Sequence, residues 1–373
     1  MQHDEQSAKR QARPFAVPVV DITPYVAGSG AGAGRLARAR VAAELDRACR
    51  EVGFLQIRGH GIAPAVLAGL AGAIDAYFGQ GLETKLRDRA PPQINRGYTP
   101  PQSESLSLSL GLQSPSRLKD YFEAFNVGTA AAEFPQLALP AEVYAENLWP
   151  QSGEGFDGAR FRAAVSAYFS EAGRVARTLC RIFADALQVP PDRFAAVTDH
   201  SVDVLRMVHY ALPQGLELQD ETPAGMGAHT DYGIVTVLWA DPVPGLQVLG
   251  ADGVWHEVMP APGTLLVNLG DLTARWTNDR WRSTLHRVRP PIVDGKLQRR
   301  RSAAYFHDGN FDALIETLPS CIAAGGSAYP PITVGEHLAA KLAGSRAGIV
   351  NTRAGKEAER VRAAEQLESR CPV

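Results

Sequence analysis

The stretch Gly227–Val258, GAHTDYGIVTVLWADPVPGLQVLGADGVWHEV, decides the fold. Its apolar residues come in short runs, Ile234 to Trp239 and Leu246 to Leu249, broken by Gly and Pro. The same texture starts near residue 203 with Val204 to Tyr210. It continues through Thr264 to Asn268 and Ser302 to Phe306. Short apolar runs with regular turn signals predict an all-β barrel or sandwich. Upstream the texture is different. Val17–Asp21 and Gly53–Ile57 read as strands, but Arg35–Val52, Pro64–Phe78 and Phe161–Leu187 have helical spacing, the last stopped by Pro190-Pro191. In the first of these helices Leu36, Ala43, Leu45 and Ala48 are the expected core positions.

The reading is a mainly β protein with surrounding helices. It divides into a disordered N-terminus (1–14), an α-rich region (15–200), a β core (201–320) and a C-terminal helical extension (321–373) with a charged helix over Lys356–Leu367. Residues 90–155 are rich in Pro, Ser and Gly and read as long loops around a strand at Tyr121–Val127. Loops of this length often serve as lids or substrate walls. Tyr98, Tyr121, Phe122, Phe125, Tyr210 and Phe306 are candidate walls, and Arg96 and Arg117 are candidate contacts to an acidic substrate.

Composition narrows the function. The 373 residues are 45% apolar and 21% charged, as in ordinary soluble globular proteins. A net charge of −2 gives no support for binding to nucleic acid or an anionic membrane. Four widely spaced cysteines (Cys49, Cys180, Cys321, Cys371) form no CxxC pair, which argues against a zinc knuckle or a disulfide framework. Met1–Arg13 is polar, and no window has the roughly 20 apolar residues of a membrane span. A reducing cytoplasmic location is expected.

Chemistry concentrates in His229-Thr230-Asp231. On extended backbone, His229 and Asp231 share a face. His286, after further strand patterns, is placed to join them across a barrel. Two imidazoles and one carboxylate hold one face of a metal and leave positions open, the pattern suited to non-haem iron(II) that also binds O2 and an organic ligand. Arg300 and Ser302 are likewise two apart. An inward arginine in an apolar strand needs an anion, either an internal Asp or Glu or the carboxylate of a bound dicarboxylate. The remaining histidines, among them His60 between two glycines, read as turn, surface or core residues.

These residues, with LRMVHYALP, GTLLVNLGDLTARWTNDRWRSTLHRV, RRRSAAYF, VPVVDI and GFLQIRGHGI, resemble the iron(II)/2-oxoglutarate-dependent oxygenases of the isopenicillin N synthase and plant dioxygenase branch over roughly residues 15 to 320. The resemblance implies a double-stranded β-helix, or jelly roll. It implies His229, Asp231 and His286 as iron ligands and Arg300, Ser302 and Tyr210 as contacts to 2-oxoglutarate, with Asn268 in the strand beside the site. It further implies that decarboxylation of 2-oxoglutarate to succinate and CO2, with O2 as cosubstrate, is coupled to hydroxylation, desaturation or ring closure of a small molecule such as a natural product or metabolite. Asp231 argues against halogenation, since halogenating relatives carry a small residue there. Fourteen residues (300 − 286) separate His286 from Arg300, a long gap that leaves Arg299 and Arg301 as alternatives in register. The other functions weighed are a 2-oxoglutarate-independent iron oxidase, a zinc hydrolase and a non-catalytic jelly-roll binding protein.

Overall fold

The computed structural model describes residues 15–27, 33–104, 106–111, 122–211, 225–294, 296–322, 325–327, 329–352 and 354–370. Met1–Arg13, most of the Gly28–Gly34 loop, Arg117, Tyr121 and Cys371 lie outside them. The first half contributes β1 (Val19–Asp21), α1 (Thr23–Val26), α2 (Ala33–Glu51), β2 (Phe54–Arg58), α3 (Pro64–Phe78), α4 (Leu82–Leu86), β3 (Gly97–Thr99), β4 (Glu123–Gly128), α5 (Gly158–Leu187) and α6 (Asp192–Ala195). The second contributes β5 (Asp203–Tyr210), β6 (Met226–His229), β7 (Val235–Ala240), β8 (Leu246–Leu249), β9 (Trp255–Glu257), β10 (Leu265–Leu269), α7 (Asp271–Trp276) and β11 (His286–Val288). A ribbon of β12 (Ile292–Val293) and β13 (Lys296–Leu297) leads into β14 (Arg300–His307), followed by β15 (Leu314–Ile315), β16 (Ile332–Thr333), α8 (Val334–Ala347) and α9 (Gly355–Arg370).

Two sheets make the jelly roll. The large one has the order β1-β2-β10-β7-β14-β5-β4-β3, the small one β6-β11-β8-β9. Strands from the first 130 residues flank the large sheet at both edges, so the β core draws on the α-rich half as well. Alternation along β5 and β14 sorts their side chains. Leu205, Met207, Ala303 and Tyr305 enter the apolar layer shared with α2, α3 and α5. Arg206, Val208, Ser302, Ala304 and Phe306 turn to the other face and line a cavity. The ribbon accounts for the long His286–Arg300 gap: the insertion folds back on itself, with Asp294 in the left-handed region at φ 51°, before β14 begins.

The 30-residue α5 lies against this sheet. Phe161, Val165, Tyr168, Ala172, Val175, Leu179, Ile182 and Phe183 form its buried stripe. Asp157 caps its start by accepting the Arg160 N–H at 3.0 Å, worth about 1 kcal/mol. In α2 the expected face needs correction. The buried positions are Val41, Ala42, Leu45, Ala48 and Cys49, whereas Leu36 is 74% exposed and Ala43 is exposed. At about 100° per residue, Leu36 and Ala43 lie roughly 180° and 200° from Leu45, on the opposite face. His60 lies in the segment between β2 and α3, flanked by Gly59 (φ 68°) and Gly61 (φ 75°), and it is buried.

The C-terminal α8 starts at a capping box in which the Thr333 hydroxyl accepts the Glu336 N–H. Lys341 on this helix is buried and reaches the Asp271 carboxylate at 2.6 Å. Asp271 also accepts from Thr230 (3.1 Å) and Ser283 (2.6 Å), so the ion pair ties α8 to the His229–Asp231 segment. Lys341→Met leaves a buried carboxylate without its cation and is expected to cost about 3–5 kcal/mol, measured by urea unfolding of the apoprotein. An unchanged midpoint would show that α8 is not anchored this way. No helix among the described residues is long and apolar enough to cross a membrane.

Candidate active site

The cavity between the sheets has a volume of about 560 Å³. β6 delivers His229, the segment after it delivers Asp231, and β11 delivers His286, which pairs directly with His229 across the small sheet. One ligand atom from each of the three lies within 4.8 Å of the others, and all three residues are buried. Both histidine Nε2 atoms face the same Asp231 oxygen, Oδ1, at 3.8 and 3.6 Å.

Neighbouring groups fix the orientation of each. His229 Nδ1 lies 2.8 Å from the Gly227 carbonyl and His286 Nδ1 lies 3.1 Å from the Thr284 carbonyl. A carbonyl only accepts, so both Nδ1 atoms carry hydrogen and both Nε2 lone pairs point inward. Asp231 Oδ2 accepts from Thr236 (2.5 Å) and Asn268 (2.6 Å), which leaves Oδ1 for the centre of the cluster. Burial, and then the facing His286, push His229 down to about 3, so its ring is neutral. Two imidazole nitrogens and a carboxylate oxygen on one side of a cavity are the donor set of a three-coordinate metal site with open positions.

Further along the same cavity, Arg300 stands opposite Tyr210 on β5, its guanidinium 5.2 Å from the ring centre. Arg300 is 2% exposed, and its Nε and Nη1 are buried without a hydrogen-bond partner among the described residues. Burial draws the guanidinium below its ordinary range. Ser302, two residues on, pairs with Val208 and also lines the cavity. The alternatives in register point elsewhere: Arg301 binds Asp241 (2.9 Å) and Asp75 (2.6 Å) and lies over Trp239, while Arg299 binds Asp75 (2.6 Å).

The expected walls fare unevenly. Phe306 and Tyr210 line the cavity. Tyr98 and Phe125 sit in the main apolar core, Tyr98 donating to Glu123, and Phe122 lies under Arg206. Arg96 borders the cavity but spends its guanidinium on the carbonyls of Asn95, Thr129, Val143 and Ala145. Sequence reasoning missed Thr236, Glu104, Arg206, Asp308 and the α8 wall of Leu338, Leu342 and Arg346. Arg206 was accessible to it, because period-two alternation from Tyr210 through Val208 passes through Arg206.

The chain is similar to known proteins. The family model for the 2OG-Fe(II) oxygenase superfamily matches residues 202–309, and that for the N-terminal part of non-haem dioxygenases in morphine synthesis matches 17–152. A 2-oxoglutarate-Fe(II) type oxidoreductase, hxnY, of Emericella nidulans is 32% identical over 86% of this chain and 88% of its own. A homoarginine-6-hydroxylase of Oryza sativa subsp. japonica is 31% identical over 88% of this chain and 96% of its own. The crystal structure of a full-length Neurospora crassa protein in complex with alpha-KG and thymine superposes with a TM-score of 0.74 at 26% identity, covering 88% of this chain and 96% of that one.

Proposed function

The chain belongs to the 2OG-Fe(II) oxygenase superfamily, and from that premise we propose that His229, Asp231 and His286 hold iron(II) and that Arg300, Ser302 and Tyr210 receive 2-oxoglutarate. The reaction class is that of a non-haem Fe(II)/2-oxoglutarate-dependent dioxygenase, with O2 as second cosubstrate. The observation that carries the assignment is the buried guanidinium of Arg300, whose Nε and Nη1 have no hydrogen-bond partner among the described residues, in the same cavity as the His229–Asp231–His286 cluster. An internal ion pair leaves no donors over, whereas a bound dicarboxylate accepts them.

Iron, when bound, supplies the redox chemistry that activates O2. The chain's own residues do the rest. Gly227 and Thr284 set the imidazole tautomers. Thr236 and Asn268 occupy one oxygen of Asp231 and aim the other. Arg300 and Ser302 anchor the far carboxylate of the cosubstrate and so fix its reach, and the apolar wall excludes water. Such supporting contacts are typically worth about 10–100-fold in metal affinity, so Asn268→Ala is expected to weaken iron(II) binding by roughly that factor under anaerobic titration, with the fold intact. Equal affinity would remove Asn268 from the site.

The substrate is a small organic molecule, in keeping with the cavity volume and with thymine and homoarginine in the names of relatives. A reducing compartment such as the cytoplasm suits the ferrous centre. The test is O2 uptake and succinate formation by the iron-loaded protein with and without 2-oxoglutarate. Stoichiometric succinate supports the reading. Substrate-dependent O2 uptake without succinate favours a 2-oxoglutarate-independent oxidase, and turnover with zinc alone favours a hydrolase.

A further inference from the structure

The wall that carries Arg300 holds a second arginine. The cavity-facing row of β5 runs Tyr210, Val208, Arg206, opposite Arg300, Ser302 and Ala304 of β14. Four residues of strand, about 13 Å at about 3.3 Å per residue, separate the Tyr210 rung from that of Arg206. The partner across from Arg206 is Ala304, the smallest side chain of the row.

Arg206 is held but not saturated. Its Nη2 donates to Glu104 Oε2 at 2.7 Å, its Nη1 reaches Oε1 at 3.5 Å, and its guanidinium carbon lies 5.1 Å from the centre of the Phe122 ring. A guanidinium has five N–H donors, so these contacts leave the Nε–H and one N–H on each Nη unspent among the described residues. Glu104 does not balance the charge alone, because it is shared: Arg346 on α8 places Nε 3.3 Å from Oε1. Two guanidinium groups therefore meet one buried carboxylate. Arg346 engages all three of its nitrogens, with the Ile94 carbonyl (3.2 Å) and the Asn95 side chain (2.6 Å) besides Glu104, whereas Arg206 keeps its Nε free of hydrogen bonds among the described residues and holds the larger share of spare donors.

Among the described residues, the other acidic groups on the cavity do not cancel the excess. Glu142 is exposed. Burial, then Asp203, pushes the Asp308 carboxyl well above the usual range, towards its neutral form. Asp231 belongs to the metal cluster. Arg206 lines the same cavity as that cluster. Around it the wall is apolar, with Leu106, Phe306, Leu338 and Leu342. An excess cation in an apolar chamber draws a counter-anion, and a planar fork selects a carboxylate.

We propose that the substrate is an apolar small organic acid, that Arg206 receives its carboxylate, and that this contact sets the C–H bond to be oxidised toward the His229–Asp231–His286 cluster. The inference rests on the reading of that cluster and of Arg300 given above. Arg206 is thus a specificity-determining residue, with Glu104 and Phe122 holding its guanidinium in place.

The test uses the whole protein loaded with Mn(II) and 2-oxoglutarate under nitrogen. Calorimetry compares phenylacetate, 3-phenylpropionate and octanoate with their primary amides. At least one acid is expected to bind about tenfold or more tighter than its amide, since the amide keeps the shape and loses the charge. In Arg206→Gln that preference is expected to fall below about threefold. Arg206→Lys keeps the charge but loses the fork, and an intermediate preference is expected. The proposal is overturned if no acid outbinds its amide, if the preference survives in Arg206→Gln, or if Arg206→Lys discriminates no better than Arg206→Gln. Failure of the wild-type protein to bind 2-oxoglutarate overturns this proposal and the reading of Arg300 together. Binding of 2-oxoglutarate without any acid preference overturns the Arg206 assignment alone.

Discussion

Arg300→Met is expected to raise the KM for 2-oxoglutarate by about 100-fold or more, while the apoprotein keeps or gains stability. Two opposite effects of one substitution make this informative. In the apoprotein Arg300 is buried with two nitrogens unpartnered, so its charge is a cost. Methionine fills similar space beside Tyr210 and removes that cost. With 2-oxoglutarate the same arginine becomes half of a buried charge pair. Truncating one partner of such a pair costs about 2–5 kcal/mol, and about 2.8 kcal/mol is 100-fold. Ligand-induced stabilisation gives a second readout. The wild-type protein with Mn(II) and cosubstrate at about 100 times Kd gains about 2.7 kcal/mol, and Arg300→Met is expected to gain little at the same concentration. Arg301→Met is the control for register. Arg301 is paired with Asp241 and Asp75 outside the cavity, so its loss is expected to lower stability and leave the KM for 2-oxoglutarate unchanged. The reverse pattern would move the cosubstrate site off Arg300.

Why Arg300 could be singled out from Arg299-Arg300-Arg301 bears on what a sequence discloses. A strand has a period of two, so one inward residue fixes its neighbours. Ser302 and Phe306 mark the inner face of β14, and Arg300 follows. The same logic pairs His229 with Asp231, although it does not show that His286 lies directly across from His229; that depends on strand order. Helical faces were less legible. Alanine-rich α2 offers small residues on several faces, and only packing against α5 selects Val41, Leu45 and Ala48 over Leu36 and Ala43. The α8 wall was hidden for a related reason. Its sequence, VGEHLAAKLAGSRA, buries a lysine and a histidine as well as Leu338, because the buried partner of Lys341 is Asp271, 70 residues earlier (341 − 271). Polar residues that are buried by long-range pairing look like a solvated face when read in sequence. Glu104 and Arg206 escaped notice in the same way, 102 residues apart.

Asp231→Ala is expected to abolish turnover and to weaken iron(II) binding by more than about 100-fold, beyond the roughly 10–100-fold typical of a supporting contact. The effect runs through the hydrogen bonds as much as through the ligand. Asp231 Oδ2 is the common acceptor for Thr236 and Asn268, so alanine removes the charge and leaves two buried donors without it. An unsatisfied buried donor costs about 1–3 kcal/mol, but here the lost carboxylate opens space beside an existing cavity where water can satisfy both. Apoprotein stability is therefore expected to change little, and the loss to emerge in the metal-bound state. Differential scanning with and without Mn(II) separates the two: a metal-dependent rise in Tm in the wild type, and none in Asp231→Ala at equal apo Tm. Asp231→Asn refines the reading. The amide preserves shape, but it has one acceptor oxygen to share between the Thr236 and Asn268 donors and the metal. If that oxygen faces the metal, its NH2 confronts two donors. If it faces the donors, its NH2 confronts the metal. Either way affinity falls, so Asn is expected to resemble Ala. Wild-type affinity in Asp231→Asn would mean that the two imidazoles suffice and that the carboxylate only shapes the loop; turnover by Asp231→Ala would place the metal elsewhere.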